Sequence, residues 1–223
     1  MEPVRLELED ICKNYQQGDT TIHALQHVNL VIEPGEYLSI TGQSGSGKST
    51  LMNILGCLDV PSSGYYRIGG QDMGKMTPGE LADFRSRTIG FIFQSFCLMP
   101  DLNALENVEL PLLYQKVPKK ERKQRAMEAL RRVGLENRMR HRPSQMSGGQ
   151  QQRTAIARAI ASQPSVILAD EPTGNLDSES GKAVMEILGE LNREGKTVVI
   201  ITHDDKIAKT TRTNVRICNG IVS

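Results

Sequence analysis

A glycine-rich segment at residues 42–49, with the sequence GQSGSGKS, constrains this chain more than any other feature. It follows the pattern G-x-x-x-x-G-K-S/T and lies between an apolar run at 36–41 and a helix-forming run at 50–55. Glycines let backbone N–H groups turn inward around phosphate oxygens, and a helix that begins behind them adds partial positive charge. The segment therefore predicts a strand, a phosphate-binding loop and a helix, and with them a nucleotide site.

The residues of this loop have separate expected roles. Lys48 is expected to reach the β- and γ-phosphates, and the Ser49 hydroxyl is expected to bind Mg²⁺. The alternative is a glycine-rich turn that matches by chance, which composition alone allows in about 1% of chains of this size. We therefore predict that phosphate groups are contacted by Gly42, Ser44, Gly45, Ser46, Gly47, Lys48, Ser49 and Thr50.

The bulk composition limits the remaining function classes. The chain has 223 residues and a formal net charge of +1, which suits one α/β domain and gives no overall attraction to nucleic acid. No apolar run reaches the ~18 residues that span a bilayer, and residues 1–7 have no apolar core of an export signal. The four cysteines lack metal-type spacing, which is typical of a reducing cytoplasm.

Hydrophobic patterning predicts an alternation of strands and helices. The continuous apolar strands at 165–170 and 196–202 are typical of a parallel sheet covered on both faces. Thr77 and Pro78 mark the start of a helix at 77–87, since they suit its N-cap and first helical position. Further strands are predicted at 4–11 as an edge strand, 23–32, 65–68 and 89–93, with a helix near 178–194 and a hairpin at 216–222.

Residues 101–142 change character and are predicted to be helix-rich, polar and basic. From residue 116 to residue 142 there are eleven Lys and Arg residues against three acidic residues. A solvated helical face accounts for this charge in the simplest way. The alternative is a face that lies near acidic lipid headgroups or an acidic loop of a partner.

Two acidic residues follow a predicted strand. Asp170 and Glu171 come at the carboxyl end of the strand at 165–170, where open α/β sheets bind their ligands. Asp170 is expected to hold Mg²⁺, and Glu171 to polarise the attacking water as general base. An ordinary pair of helix-capping acids is the alternative.

A second helix N-terminus suited to anions lies at residues 147–153. Ser147 is a good N-cap residue, and Gly148, Gly149 and Gln150 open a helix behind it. One nucleotide does not need two such helix ends. Two chains placed head to tail would use both, so a homodimer that encloses nucleotide between its subunits is predicted.

The segment at 147–150 resembles the signature motif of ATP-binding cassette (ABC) ATPases, and the resemblance covers essentially the whole chain. It implies that ATP is the nucleotide, that Ser147, Gly148, Gly149 and Gln150 act on the partner's ATP, and that Asp170 and Glu171 are the metal and base carboxylates. Met146 replaces the usual leucine of the motif, a change that conserves volume.

The resemblance also assigns roles to residues that no local pattern marks. Tyr15 corresponds to the aromatic residue that stacks on adenine, and Gln94 to the glutamine that touches Mg²⁺ and the attacking water. Asp177 lies in the loop at 175–177 that crosses to the partner, and His203 corresponds to the histidine that grips the γ-phosphate and orders the base. The implied catalytic set is thus Lys48, Gln94, Glu171 and His203.

The fold implied is an α/β P-loop NTPase (RecA-like) core with a mixed sheet, an antiparallel β subdomain and a helical signature subdomain. Residues 1–223 would form a single nucleotide-binding domain, with the helical subdomain at about 95–160.

Three segments, 53–59, 102–112 and 169–177, resemble the macrolide-exporter, lipoprotein-release and cell-division group of cassettes. That resemblance implies a separate membrane permease with a large extracytoplasmic domain, driven by ATP-dependent dimerisation from the cytoplasmic face of the membrane. The alternative is a regulatory cassette whose permease transports nothing. Nucleic acid is not an expected partner.

The segment at 96–113 follows Gln94 and is the predicted permease contact. Its apolar residues are expected to line a groove for a short helix. The alternative is that they pack within the helical subdomain. The residues concerned are Leu98, Met99, Leu102 and Leu105.

Overall fold

The computed structural model describes residues 4–223, so the expectation of no export signal at residues 1–7 falls partly outside the described residues. The strands are β1 (Leu6–Gln17), β2 (Thr20–Ile32), β3 (Tyr37–Thr41), β4 (Ser63–Ile68), β5 (Gln71–Asp72), β6 (Ile89–Ile92), β7 (Val166–Asp170), β8 (Thr197–Thr202), β9 (Thr213–Cys218) and β10 (Ile221–Val222). The α-helices are α1 (Lys48–Leu55), α2 (Pro78–Thr88), α3 (Ala104–Tyr114), α4 (Lys119–Arg132), α5 (Gly148–Ala161), α6 (Ser178–Arg193) and α7 (Asp205–Ala208).

A mixed six-stranded sheet forms the centre of the fold, in the order β10-β9-β3-β8-β7-β6. Strands β9, β3, β8, β7 and β6 run parallel, and only the terminal β9–β10 pair is antiparallel. The side chains of β8 are buried along its whole length, as its continuous apolar sequence predicts. Because β3, β8 and β7 are parallel neighbours, their carboxyl ends meet at one edge of the sheet.

A second sheet of four antiparallel strands has the order β2-β1-β4-β5. The prediction of an edge strand at 4–11 was wrong, because β1 pairs with both β2 and β4. Leu6 lies opposite Ile32 on one side and Ile68 on the other. The alternation of Leu6 and Leu8 reports that one face of the strand is buried, and it carries no information about how many neighbours the strand has.

Helices α3, α4 and α5 pack on one another beside the central sheet, with the apolar face of α5 fully buried. Asn107 is itself completely buried in α3. Its side-chain amide donates to the carbonyl oxygens of Met99, Leu102 and Asn103 at 3.0–3.1 Å. The preceding loop is therefore fixed on the helix, since these carbonyls find their partners there and not in solvent.

Helix starts follow the sequence signals closely. Thr77 caps α2, as its position before Pro78 predicts, and it also forms a capping box with Glu80. Ser147 caps α5 in the same way with Gln150. Among the described residues, no helix is both long and apolar enough to cross a bilayer.

Candidate active site

The glycine-rich loop that the sequence predicts to bind phosphate connects β3 to α1, which begins at Lys48. Gly45 and Gly47 have φ values of +78° and +107°, which side chains with a Cβ rarely adopt. A Cβ at Gly47 would also lie 2.6 Å from the carbonyl oxygen of Ala24 in β2. The loop is therefore held close against the antiparallel sheet, and glycine is required at this position.

Two polar groups of the loop suit an anionic ligand. The Ser46 hydroxyl is buried and has no hydrogen-bond partner within the described part of the chain. The Lys48 ammonium donates to the carbonyl oxygens of Gly42 and Gln43, both at 2.7 Å. An ammonium has three donors, so one remains for a phosphate oxygen. These groups fit the phosphates of a nucleoside triphosphate.

A cavity of about 530 Å³ lies beside this loop. Predicted site residues from two parts of the chain share its lining, namely Tyr15 from β1 and Ser44, Gly45, Gly47, Lys48, Ser49 and Thr50. The sequence did not indicate Ile22, Asn219 or Gly220, which also line it. The pairing of β1 with β2 could have indicated that Ile22 lines the cavity, because Ile22 is the cross-strand partner of Tyr15.

Asp170 and Glu171 lie at the carboxyl end of β7, as predicted. Burial raises the pKa of Asp170, and the neighbouring Glu171 carboxylate raises it further, against an opposing effect of Lys48. This arrangement concentrates negative charge beside the glycine-rich loop. Carboxylate and hydroxyl oxygens are ligands that Mg²⁺ prefers, so Asp170 together with Ser49 fits a magnesium site.

Glu171 is held by the strand next to it. Its Oε2 accepts a hydrogen bond from the Thr202 hydroxyl at 3.0 Å. Its Oε1 lies 2.9 Å from the His203 backbone nitrogen, which donates to it, and 2.6 Å from His203 Nδ1. The carboxylate is therefore fixed in orientation while the His203 side chain stays 71% exposed. Thr202 is a residue that the sequence did not single out, although its place at the end of β8 implies proximity to Glu171.

Gln94 lies two residues beyond β6 and contacts the loop that follows Glu171. Its side-chain amide donates to Asn175 Oδ1 at 3.3 Å, and the Asn175 amide donates back to the Gln94 carbonyl at 3.0 Å. A Cβ placed on Gly174 would lie 2.7 Å from Gln94 Nε2. The Gln94 side chain is thus positioned by the Asn175 side chain and by close approach to Gly174.

Residues 147–150, which resemble the signature motif, and Asp177 lie outside this cavity. Ser147 and Gln150 bond each other in the cap of α5 at 3.1–3.3 Å, and Gly149 packs against Ser180 of α6. Asp177 caps α6 by accepting from the backbone N–H groups of Glu179 and Ser180. None of the predicted residues Ser147, Gly148, Gly149, Gln150 and Asp177 lines the cavity beside Lys48.

A second concavity, of about 690 Å³, lies between α2, β6 and the helices α3 and α5. The segment at 96–113 contributes Cys97, Leu110 and Pro111 to it. Leu98, Met99, Leu102 and Leu105, which are predicted to line a groove, are not part of this lining, so that groove stays a prediction. Asn107 binds the carbonyls of Met99 and Leu102, and Leu105 packs against the buried cluster of the helical part.

The sequence profile of the family described as ABC transporter matches residues 25–174. The chain belongs to this family. It is therefore an ATP-binding cassette of the ABC transporter type, with the α/β P-loop NTPase fold that the sequence predicted. Cassettes of this family are ATPases, which agrees with the loop, carboxylates and histidine described above.

Individual relatives resemble the chain over nearly all of its length. It is 53% identical to the uncharacterized ABC transporter ATP-binding protein YvrO of Bacillus subtilis, covering 96% of this chain and 94% of that protein. It is 52% identical to the macrolide export ATP-binding/permease protein MacB of Escherichia coli, with the same coverage of this chain but only 33% of the relative. The chain thus spans about a third of that longer protein.

A solved structure agrees with the fold in detail. The ATP-binding cassette MJ0796, in a dimeric post-hydrolysis state bound to ADP and Pi, superposes with a TM-score of 0.91 at 46% sequence identity. The match covers 98% of this chain and 96% of that one.

Proposed function

We propose that this chain is the ATP-hydrolysing subunit of a transporter, in which two copies bind two ATP molecules head to tail and drive a separate membrane permease. The proposal rests on one observation. The chain has two helix N-termini that suit an anion, those of α1 and α5, and they lie apart from each other. Lys48 lies at the first, beside Asp170 and Glu171, while Ser147 caps the second away from that cavity. A second copy can supply the missing helix end to each site.

Each side chain of the site has a distinct task in this proposal. Lys48 and the loop N–H groups hold the β- and γ-phosphates, and Tyr15 supports the adenine. Ser49, Gln94 and Asp170 would hold Mg²⁺, which neutralises phosphate charge when it is bound. From the partner, Ser147, Gly148, Gly149, Gln150 and the loop with Asp177 close over the γ-phosphate.

Hydrolysis in this proposal depends on Glu171 and His203. A Glu171 carboxylate oxygen accepts a proton from the attacking water as the water oxygen bonds to the γ-phosphorus. The bond from that phosphorus to the β–γ bridging oxygen breaks in the same step, and ADP is the leaving group. Thr202 and the His203 backbone hold the carboxylate in one orientation, so little reorganisation accompanies the step. The His203 ring contacts Glu171 through Nδ1 and is otherwise exposed, so its other edge can contact the γ-phosphate.

The permease contact is proposed for the concavity between α2, α3 and α5. Its lining combines the apolar Phe91, Phe93 and Leu110 with the cation Arg158. A short permease helix with an apolar face would fit there. Gln94 follows Phe93 directly, so movement of this helix is expected to reach the catalytic site.

The chain would then lie on the cytoplasmic face of the membrane, bound to its permease.

We also propose one domain for residues 1–223, with the helical part at about 95–160 carrying the signature. The large extracytoplasmic domain of the permease and the mechanical transmission of dimer closure belong to the same proposal. It includes no nucleic acid partner.

Molar mass by light scattering tests the dimer. Glu171→Gln is used because it is expected to keep ATP bound without turnover. A doubling of mass with ATP and Mg²⁺, but not with ADP, is the expected result. A mass that ATP does not change, at concentrations where calorimetry shows saturated binding, would contradict nucleotide-driven dimerisation of this chain.

A further inference from the structure

The Tyr15 side chain is tied to the chain segment that follows α1. Its hydroxyl donates to Asp59 Oδ2 at 2.9 Å. The Asp59 and Leu58 backbone N–H groups in turn both bond the carbonyl oxygen of Asn53, inside α1. The aromatic ring at one end of the cavity is therefore connected to the same helix that starts at the phosphate loop.

Asp59 is itself held in place on its other carboxylate oxygen. Oδ1 accepts from Lys13 Nζ at 2.7 Å and from the Val60 backbone N–H at 2.7 Å. Lys13 Nζ also donates to the Val60 carbonyl oxygen at 2.8 Å. The Lys13 side chain is only 12% exposed and that of Asp59 27%, so this ion pair is better shielded from solvent than an ordinary surface pair.

The Tyr15 ring is restrained on its face as well as at its hydroxyl. Lys13 Nζ lies 4.9 Å from the ring centroid, within the range of a cation–π contact. Ile22 is its cross-strand partner and lines the same cavity. Partial burial alone would raise the pKa of Asp59, but the hydrogen bonds from Lys13, Tyr15 and Val60 outweigh it and lower the pKa. The carboxylate is thus charged at neutral pH.

We infer that Asp59 is a positioning residue for base recognition: it fixes the Tyr15 ring, with Lys13 as its anchor, at a set distance from the phosphate loop. The inference rests on the proposed ATP site and gives a role to Asp59, the last residue of the segment 53–59 that resembles the macrolide-exporter group. Without Asp59 the ring gains rotational freedom, and a stacked base must then restrict it. Adenine binding weakens, while binding of the phosphates does not change.

Calorimetry with two ligands tests this, using MgATP and magnesium tripolyphosphate, which has no base. All variants are made in the full chain carrying Glu171→Gln, so that ATP is not turned over. Asp59→Ala should weaken ATP binding about fivefold, as expected when the bound base must restrict one freed side chain, and leave tripolyphosphate binding unchanged. Glu128→Ala, which removes an exposed carboxylate paired with Arg131 on α4, is the matched control and should change neither.

Combining variants separates positioning from a general structural effect. Tyr15→Phe removes only the hydroxyl, so the double variant Tyr15→Phe/Asp59→Ala should bind ATP no more weakly than Asp59→Ala alone. Asp59→Asn keeps an oxygen that accepts from the hydroxyl and should restore part of the affinity. If Asp59→Ala does not fold, Asp59→Asn and Lys13→Met carry the same comparison.

The outcomes are distinguishable. Equal weakening of both ligands would mean that Asp59 supports α1 and not the ring, and it would overturn the inference. So would additive effects in the double variant, or unchanged ATP binding in Asp59→Ala while Tyr15→Ala weakens it. If the parent chain itself binds ATP no more tightly than tripolyphosphate, the proposed adenine contact of Tyr15 fails, and the inference fails with it.

Discussion

Glu171 Oε1 lies within hydrogen-bond distance of two nitrogens of His203, the backbone nitrogen at 2.9 Å and ring Nδ1 at 2.6 Å. The contact follows from topology, because β7 and β8 are parallel neighbours and both residues come directly after their strands. Glu171 adopts a φ of +43°, which turns its side chain away from the regular course of the strand. Two contacts from the same neighbour therefore fix the orientation of this carboxylate.

Glu171→Gln should lower the turnover of ATP at least about 100-fold, because an amide cannot accept the proton from water. The affinity for MgATP should stay within about threefold, since Asp170 and Lys48 are unchanged. Phosphate release and calorimetry measure the two quantities. Glu179→Gln, on the exposed first turn of α6, is the control. Turnover that persists in Glu171→Gln would assign the base to another residue.

Ser147→Arg should abolish ATP-dependent dimers while leaving nucleotide affinity of the single chain within about twofold. The bulky cation would occupy the end of α5 where the partner's phosphates are proposed to lie. Loss of the cap alone costs about 1 kcal/mol, so Ser147→Thr, which keeps the hydroxyl, is the control. Light scattering measures dimer formation and calorimetry measures nucleotide affinity on the same samples. Equal loss of binding and dimerisation would show that Ser147 acts within its own chain.

Gly174→Ala should lower turnover about tenfold with little change in thermal stability. The added Cβ would lie 2.7 Å from Gln94 Nε2, the far end of a flexible side chain, so Gln94 moves and the backbone does not. Gly181→Ala is matched to it, because there the Cβ meets only Thr173 atoms at 3.6 Å or more. Steady-state ATPase assays and thermal melts compare the two. Normal turnover in Gly174→Ala would argue against a catalytic role for the Gln94 position.

Sequence patterns predicted most of the fold because each depends on local rules. The loop at 42–49, the N-cap at Thr77 and the buried strands β7 and β8 all follow from neighbouring residues. The central place of β1 and the contacts of Asp59 and Thr202 depend on which elements lie side by side. The Tyr15–Asp59 and Glu171–Thr202 hydrogen bonds join residues that are 44 and 31 positions apart, and no periodicity in one segment encodes them.

Tyr66→Phe should destabilise the chain by about 1–2 kcal/mol and lower the melting temperature by about 2–8 °C. The Tyr66 ring is 2% exposed, and its hydroxyl donates to the carbonyl oxygen of Leu55 at 2.6 Å. Removing the donor leaves this carbonyl at the end of α1 without that partner. Tyr65→Phe is the control, because the neighbouring Tyr65 is 54% exposed. Equal melting temperatures for the two variants would contradict the assigned contribution of the buried bond.

Cys57 should resist thiol reagents in the folded chain at a pH where exposed cysteines react. Burial raises the pKa of its thiol to about 12, against a smaller lowering effect of Arg85. At pH 9 only about a thousandth of Cys57 is then thiolate, whereas an unfolded cysteine with its ordinary pKa of 9.0 is about half ionised. Since the folded pKa is the higher one, stability is retained below pH 9 and is lost as the pH rises from 9 towards 12.

Alkylation at pH 9, followed by peptide mass analysis, checks this expectation. Cys97 and Cys218 are exposed and should be modified first, while Cys57 should react only after the chain is unfolded. A melting series from pH 8 to pH 10.5 on wild type and Cys57→Ala supplies the second measurement. The difference in melting temperature between them should narrow as the pH rises, because only the wild type carries the ionising thiol. Rapid modification of Cys57 in the folded chain would mean that the loop after α1 opens readily in solution.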